Sequence, residues 1–232
     1  MLSLLLFFST VPAATLEDVG VSRPKNRTLI VVTPGVDPVA YAEWADVLER
    51  RGLDVWLLHF GPDDLPGHAP HEVSAAAEAL GPLRVAAHGY GGVLVLASGI
   101  TPERLVLVGT PLAAHVVVPE LPPAEVGIGW PEAWTGPLPP APVHPEMQAA
   151  YRSWLLTMPD FATPTCPTLL IGANLDVVAP PETMRLPSVD WPARTWERVG
   201  PLSMETRDPL HAELLSGASV ARRVARFLAE GT

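Results

Sequence analysis

The chain is poor in cysteine, lysine and aromatic residues, and it has no apolar run long enough to cross a bilayer. Cys166 is the sole cysteine, which excludes an intrachain disulfide and a cysteine-built metal centre. It stands in Thr165-Cys166-Pro167, just ahead of an apolar run, and reads as a small packed side chain rather than a nucleophile. The 15 basic residues, of which only Lys25 is a lysine, face 25 acidic ones, and the resulting net charge of −10 argues against nucleic acid and against an anionic membrane surface as partners. His59, His68 and His71 fall close to Asp63 and Asp64, but their spacing matches no ligand pattern, so the group reads as a polar loop. Neither a metal nor a cofactor is expected.

The first apolar stretch, Leu2 to Val11, is about half of the ~20 residues a transmembrane helix needs. Pro12-Ala13-Ala14 followed by Thr15 resembles a signal-peptidase site, although no Lys or Arg precedes the stretch. Residues 1–14 are therefore read as a signal peptide or anchor, which makes the protein exported if they are removed. Membrane association would run only through this segment. Alternatives for it are a first β-strand or a misplaced start.

A length of 232 residues suits one domain, and 48% hydrophobic residues supply a core for it. No repeat of ~20–50 residues is visible, which leaves out solenoids and propellers. From Arg27 onward, strand and helix patterns alternate. Thr28–Thr33 (TLIVVT) is a continuous β-branched run of the kind found in strands buried on both faces. Asp37-Pro38 supplies a cap and a first-turn proline for a helix carrying Tyr41, Trp44, Ala45 and Leu48, which Gly52 ends. Strands follow at 54–60, 84–87, 104–108, 167–171 and 195–199, with helices at 72–80, 90–98 and 219–230. The pattern predicts a doubly wound, mostly parallel α/β domain over residues 27–232. Regularity stops between residues 112 and 164, a Pro- and Trp-rich insertion with Trp130, Trp134 and Trp154 and one helical pattern at 146–157. Insertions of this length commonly act as lids or binding elements.

Four stretches then resemble the α/β-hydrolase superfamily, over about Arg27 to Thr232. Ala87-His88-Gly89-Tyr90-Gly91-Gly92 is similar to the family's nucleophile elbow in all but the nucleophile, whose place Gly89 takes. Thr33-Pro34-Gly35-Val36 falls where the family shapes its oxyanion loop. Gly172-Ala173-Asn174-Leu175-Asp176, after a strand, resembles the acid loop, and His211 ahead of the last helix resembles the histidine segment. The resemblance implies Asp176 as the triad acid, His211 as the base, and backbone N–H groups of Tyr90 and of Gly35 or Val36 as the oxyanion hole. The segment VLERRGLDVWLLHFGPDD is also similar to polyester synthases and related acyl-transferring members, which carry cysteine at the elbow.

A glycine has no oxygen or sulfur to attack with, so ordinary acyl transfer is excluded at position 89. His88 and Tyr90 flank the gap, Ser98 lies more than two helical turns away, and Thr110 follows the neighbouring strand; none is marked as a replacement. The favoured reading is a catalytically impaired binding or scaffold protein, for a small acyl or ester-like ligand or a protein partner. The rival readings are a hydrolase in which Asp176 and His211 activate water, and a serine hydrolase carrying a Ser-to-Gly change.

Overall fold

A computed structural model describes residues 14–19, 26–61, 64–112, 145–157, 161, 163–173, 176, 179–199, 213–216 and 218–230. Its centre is a sheet of seven strands: β1 (Ala14–Asp18), β2 (Arg27–Val31), β3 (Asp54–Phe60), β4 (Arg84–His88), β5 (Leu105–Val108), β6 (Thr168–Ala173) and β7 (Arg194–Val199). The spatial order is β1-β3-β2-β4-β5-β6-β7, and every pair is parallel except β1 with β3. The sheet therefore begins upstream of the expected start at residue 27. In β1, Ala14 and Leu16 pack on the core while Thr15 and Glu17 face away, an alternation too short to stand out against the apolar segment before it. Residues 1–13 lie outside the described residues.

The central strands are apolar without interruption because both of their faces are covered. Leu29, Val31, Val85, Ala87, Leu105, Leu107 and Leu170 point into one hydrophobic layer. Their neighbours Ile30, Val32, Ala86, Val106, Val108, Leu169 and Ile171 point into the other. The first layer is completed by α2 (Ala69–Leu80), α3 (Tyr90–Ser98) and α4 (Pro145–Thr157). The second is completed by α1 (Ala42–Arg50) and by the C-terminal α7 (Ala218–Ala229). In α7, Val220, Ala221, Val224, Ala225 and Leu228 recur at helical spacing and are all buried. Two further short helices are α5 (Pro181–Arg185) and α6 (Glu213–Ser216).

Local chemistry explains the helix starts. The Asp37 carboxylate accepts a hydrogen bond from the Val39 N–H (2.9 Å), opening a 3-10 turn at Pro38–Tyr41 that runs into α1. Helix α2 begins three residues before the expected residue 72, because Pro70 in its first turn needs no donor there. The expected helix at 146–157 is α4, with Met147, Tyr151 and Leu155 buried and Trp154 half-buried. The rest of the insertion from 113 to 144, with Trp130 and Trp134, lies outside the described residues.

Candidate functional site

Four parallel strands deliver the loops of interest to one edge of the sheet, the edge at their C-terminal ends. At the end of β4, His88 pairs with Val108 of β5, and the Gly89 N–H still donates to the Val108 carbonyl (2.9 Å). The chain then reverses at Gly89, with φ 54° and ψ −131°, and α3 starts at the next residue. That backbone conformation is open to glycine and strained for any L side chain. The turn is a sharp strand-to-helix elbow.

The two glycines that follow are required by close packing. A Cβ on Gly91 would stand 2.5 Å from the Val31 carbonyl oxygen, so α3 lies directly against the backbone of β2. A Cβ on Gly92 would stand 2.2 Å from the Thr110 hydroxyl, just beyond β5. The helix itself is apolar all round, and Tyr90 through Leu96 are buried, as befits a helix sunk into a core.

Beside the elbow, after β2, Thr33-Pro34-Gly35-Val36 closes on itself. The Val36 N–H donates to the Thr33 carbonyl (3.1 Å), and Gly35 has φ 84°. Proline second and a positive-φ glycine third are the signature of a type II turn. The Val36 amide thus closes this turn, and Gly35 sits at its positive-φ corner. The turn is tied to the elbow by three buried polar side chains. The Tyr41 hydroxyl accepts from the Thr33 N–H (2.8 Å), and the Thr33 hydroxyl donates to the His88 carbonyl. His88 Nδ1 lies 3.2 Å from Thr33 Oγ1 and 3.4 Å from the Tyr41 hydroxyl, with the two rings edge to face. Burial pushes the Tyr41 phenol well above its ordinary pKa, so it stays protonated and able to donate. His88 is thus a fully buried structural cross-link and not a replacement nucleophile.

Neither a protein-family model nor a curated protein sequence matches the chain. Solved structures do match. A lipase-esterase related protein from Clostridium acetobutylicum superposes with a TM-score of 0.68 at 14% identity, over 93% of this chain and 99% of that one. A monoacylglycerol lipase from Paleococcus ferrophilus gives 0.64 at 14% identity, over 94% and 99%. An esterase from Thermogutta terrifontis gives 0.61 at 15% identity, over 95% of each chain. The chain has the α/β-hydrolase fold.

In this α/β-hydrolase fold the remaining expected site residues fall as follows. Gly89, Tyr90 and Gly35 share the edge formed by the adjacent strands β2 and β4. Asp176 follows β6 on the same edge, two strand positions from β4, or roughly 10 Å at ~4.8 Å per strand. It is 2% exposed, and its carboxylate accepts from the Ala179 N–H (2.7 Å), which fixes its orientation. His211 lies outside the described residues, before α6. Trp154 sits edge to face with Tyr151 on α4, their ring centres 6.1 Å apart.

Thr110 is fully buried, and its hydroxyl has no hydrogen-bond partner among the described residues. Of the polar residues expected as a loop, His68 just before α2 and His71 within α2 are exposed, whereas the Asp64 carboxylate is buried and accepts from the Gly61 N–H. Asp63 lies outside the described residues. No three metal-ligating side chains stand together among the described residues, and no helix among them is long and apolar enough to cross a membrane. The network of Thr33, Tyr41 and His88 went unread in the sequence. Its one visible signal was polar residues at the ends of otherwise apolar runs.

Proposed function

We propose that this is an α/β-hydrolase-fold protein without an elbow nucleophile, which binds a small acyl or ester-like ligand and does not turn it over by acyl transfer. The observation that carries the reading is Gly89 itself. It stands at the strained φ of 54° between β4 and α3, where a side chain would be presented at the sheet edge, and it presents only hydrogen. Loss of a triad nucleophile costs on the order of 10⁶ in kcat, while backbone donors and binding interactions persist without it. In this reading the leading amides of α3, beginning at Tyr90, and the Gly35 turn hold the ligand's carbonyl. Buried and oriented Asp176 supports a second reading, in which it and His211 act as a general base on water.

A paired experiment separates the two. The protein and a Gly89→Ser variant are treated with a fluorophosphonate probe and with a short-chain nitrophenyl ester. Under the first reading the unaltered protein neither labels nor turns over ester, and Gly89→Ser labels. Ester turnover by the unaltered protein at enzyme-like rates overturns it in favour of the second.

A further inference from the structure

Among the described residues, the second hydrophobic layer leaves the β1 edge of the sheet incompletely covered. Six inter-strand spacings of ~4.8 Å make the sheet about 29 Å wide, while the two long helices of this layer, α1 and α7, are each about 10 Å across. Between α1 and β1 lies an open groove of about 430 Å³. Its floor is apolar, made by Leu57 of β3 and by Val19 just past β1. Helix α1 lines it with Ala42 and Ala45, where larger side chains would have closed the gap. Val39, also in its lining, is 66% exposed, an apolar side chain left in water. Every charged residue lining the groove is acidic: Glu17 on β1, and Asp46 and Glu49 on α1. Asp46 pairs with Arg50 at 2.6 Å. Glu17 and Glu49 have no ion pair among the described residues, and one Glu49 carboxylate oxygen is sealed from water without a hydrogen-bond partner. Glu49 also stands in the last turn of α1, at the negative end of the helix dipole and three residues after Asp46. A cation in the groove would relieve each of these unfavourable placements.

We infer that this groove binds a small organic cation, an ammonium group carried on an apolar body. Charge complementarity selects the head. An anion would meet two unpaired carboxylates and no basic lining residue, whereas an ammonium finds acceptors and an opposite charge. The floor and walls select the body. A hydrated inorganic cation gains nothing by covering Val19, Leu57 and Val39, while an alkyl chain removes them and itself from water. The volume falls within the range of about 300–1,000 Å³ typical of small-molecule pockets. None of the lining residues belongs to the elbow, the Gly35 turn or the Asp176 loop, so the inference stands apart from the acyl-ligand reading.

The test uses n-octylammonium as the probe, with n-octanol as its neutral counterpart and n-octanoate as its anionic one. Binding is read at the groove itself, from the methyl resonances of Val39, Ala42 and Ala45 in methyl-labelled protein, which separates it from an acyl ligand held at the elbow. The expected result is a saturable shift of these methyls by octylammonium, with octanol binding roughly five-fold more weakly and octanoate more weakly still. Glu17→Gln and Glu49→Gln each weaken octylammonium roughly five-fold, the worth of one partly exposed charge pair, and leave octanol unchanged. Added salt likewise weakens octylammonium and not octanol. Ala45→Leu, which fills the groove with a residue well suited to a helix, abolishes binding while circular dichroism reports an intact fold. Equal binding of octylammonium and octanol, or an octylammonium affinity that survives both glutamine variants, overturns the cation preference. A shift that spreads over other methyls and survives Ala45→Leu is attraction to an acidic surface and overturns the site, as does the absence of any shift.

Discussion

The closeness of α3 to the sheet makes a quantitative prediction about two adjacent glycines. A Cβ on Gly91 would fall 0.5 Å inside the 3.0 Å that real Cβ atoms respect (3.0 − 2.5), against the backbone oxygen of Val31. On Gly92 the shortfall is 0.8 Å (3.0 − 2.2), but the obstacle is the Thr110 side chain. Backbone on both sides cannot rotate away, so Gly91→Ala forces α3 off β2, an overpacking cost of about 3 kcal/mol. Alanine's better helix propensity offsets up to ~1 kcal/mol of this, leaving a net loss of about 2 kcal/mol. For a domain of this size that lowers the melting temperature by roughly 4–8 °C.

Gly92→Ala incurs a similar loss alone and regains most of it when combined with Thr110→Ala, which removes both the atoms at 2.2 and 2.7 Å. Gly67→Ala, with nothing within 4 Å of the added atom, stays within about 0.5 kcal/mol of the parent. Denaturant melts of these variants, together with Thr110→Ala alone and combined with Gly91→Ala, supply the double-mutant cycles. The packing argument is refuted if Gly91→Ala melts with the parent, or if Thr110→Ala rescues Gly91→Ala as well as it rescues Gly92→Ala.

Two more outcomes follow from buried titratable groups. Tyr41 and Tyr151 both have phenol pKa values raised in the folded state by burial. Their contribution to stability is complete below the unfolded value near 10 and is lost as pH rises beyond it. An ultraviolet titration should show their phenolates appearing only together with loss of the folded signal. Phenolate formation for all three tyrosines near pH 10 in the intact fold would contradict this. Cys166 is 8% exposed, and burial raises its thiol pKa. It should ignore a disulfide reagent at pH 8 in the native protein and react at once in denaturant.

The sheet was legible because its strands announce themselves. TLIVVT, DVWLLHF and RLVLV are too apolar to face water on either side, and glycine or proline breaks each one. The elbow was legible for the same reason: a strand, a positive-φ turn and an apolar helix leave few alternatives for Gly89. The short elements were not. Five-residue β1 and α5 carry too little periodicity to rise above loop composition, and β1 is hidden behind an apolar stretch. Nor could spacing reveal that the Val36 amide closes its own turn. Proline and glycine predict the turn type, but the oxyanion expectation concerned where an N–H is spent, which is a three-dimensional fact. The link between Thr33, Tyr41 and His88 joins residues 55 positions apart in sequence, and only the pairing of β2 with β4 brings them together.

The direction of β1 has a practical consequence for handling the molecule. Because β1 is antiparallel and Ala14 pairs with Phe60, the chain enters the sheet level with Gly89, three strand positions away, or roughly 14 Å. An affinity tag, fluorophore or surface linker fused ahead of β1 would thus be delivered to the mouth of the site. The same attachment that would crowd out the proposed ligand also offers a reporter close to the elbow. A fusion after α7 leaves that entrance alone and is the proper control.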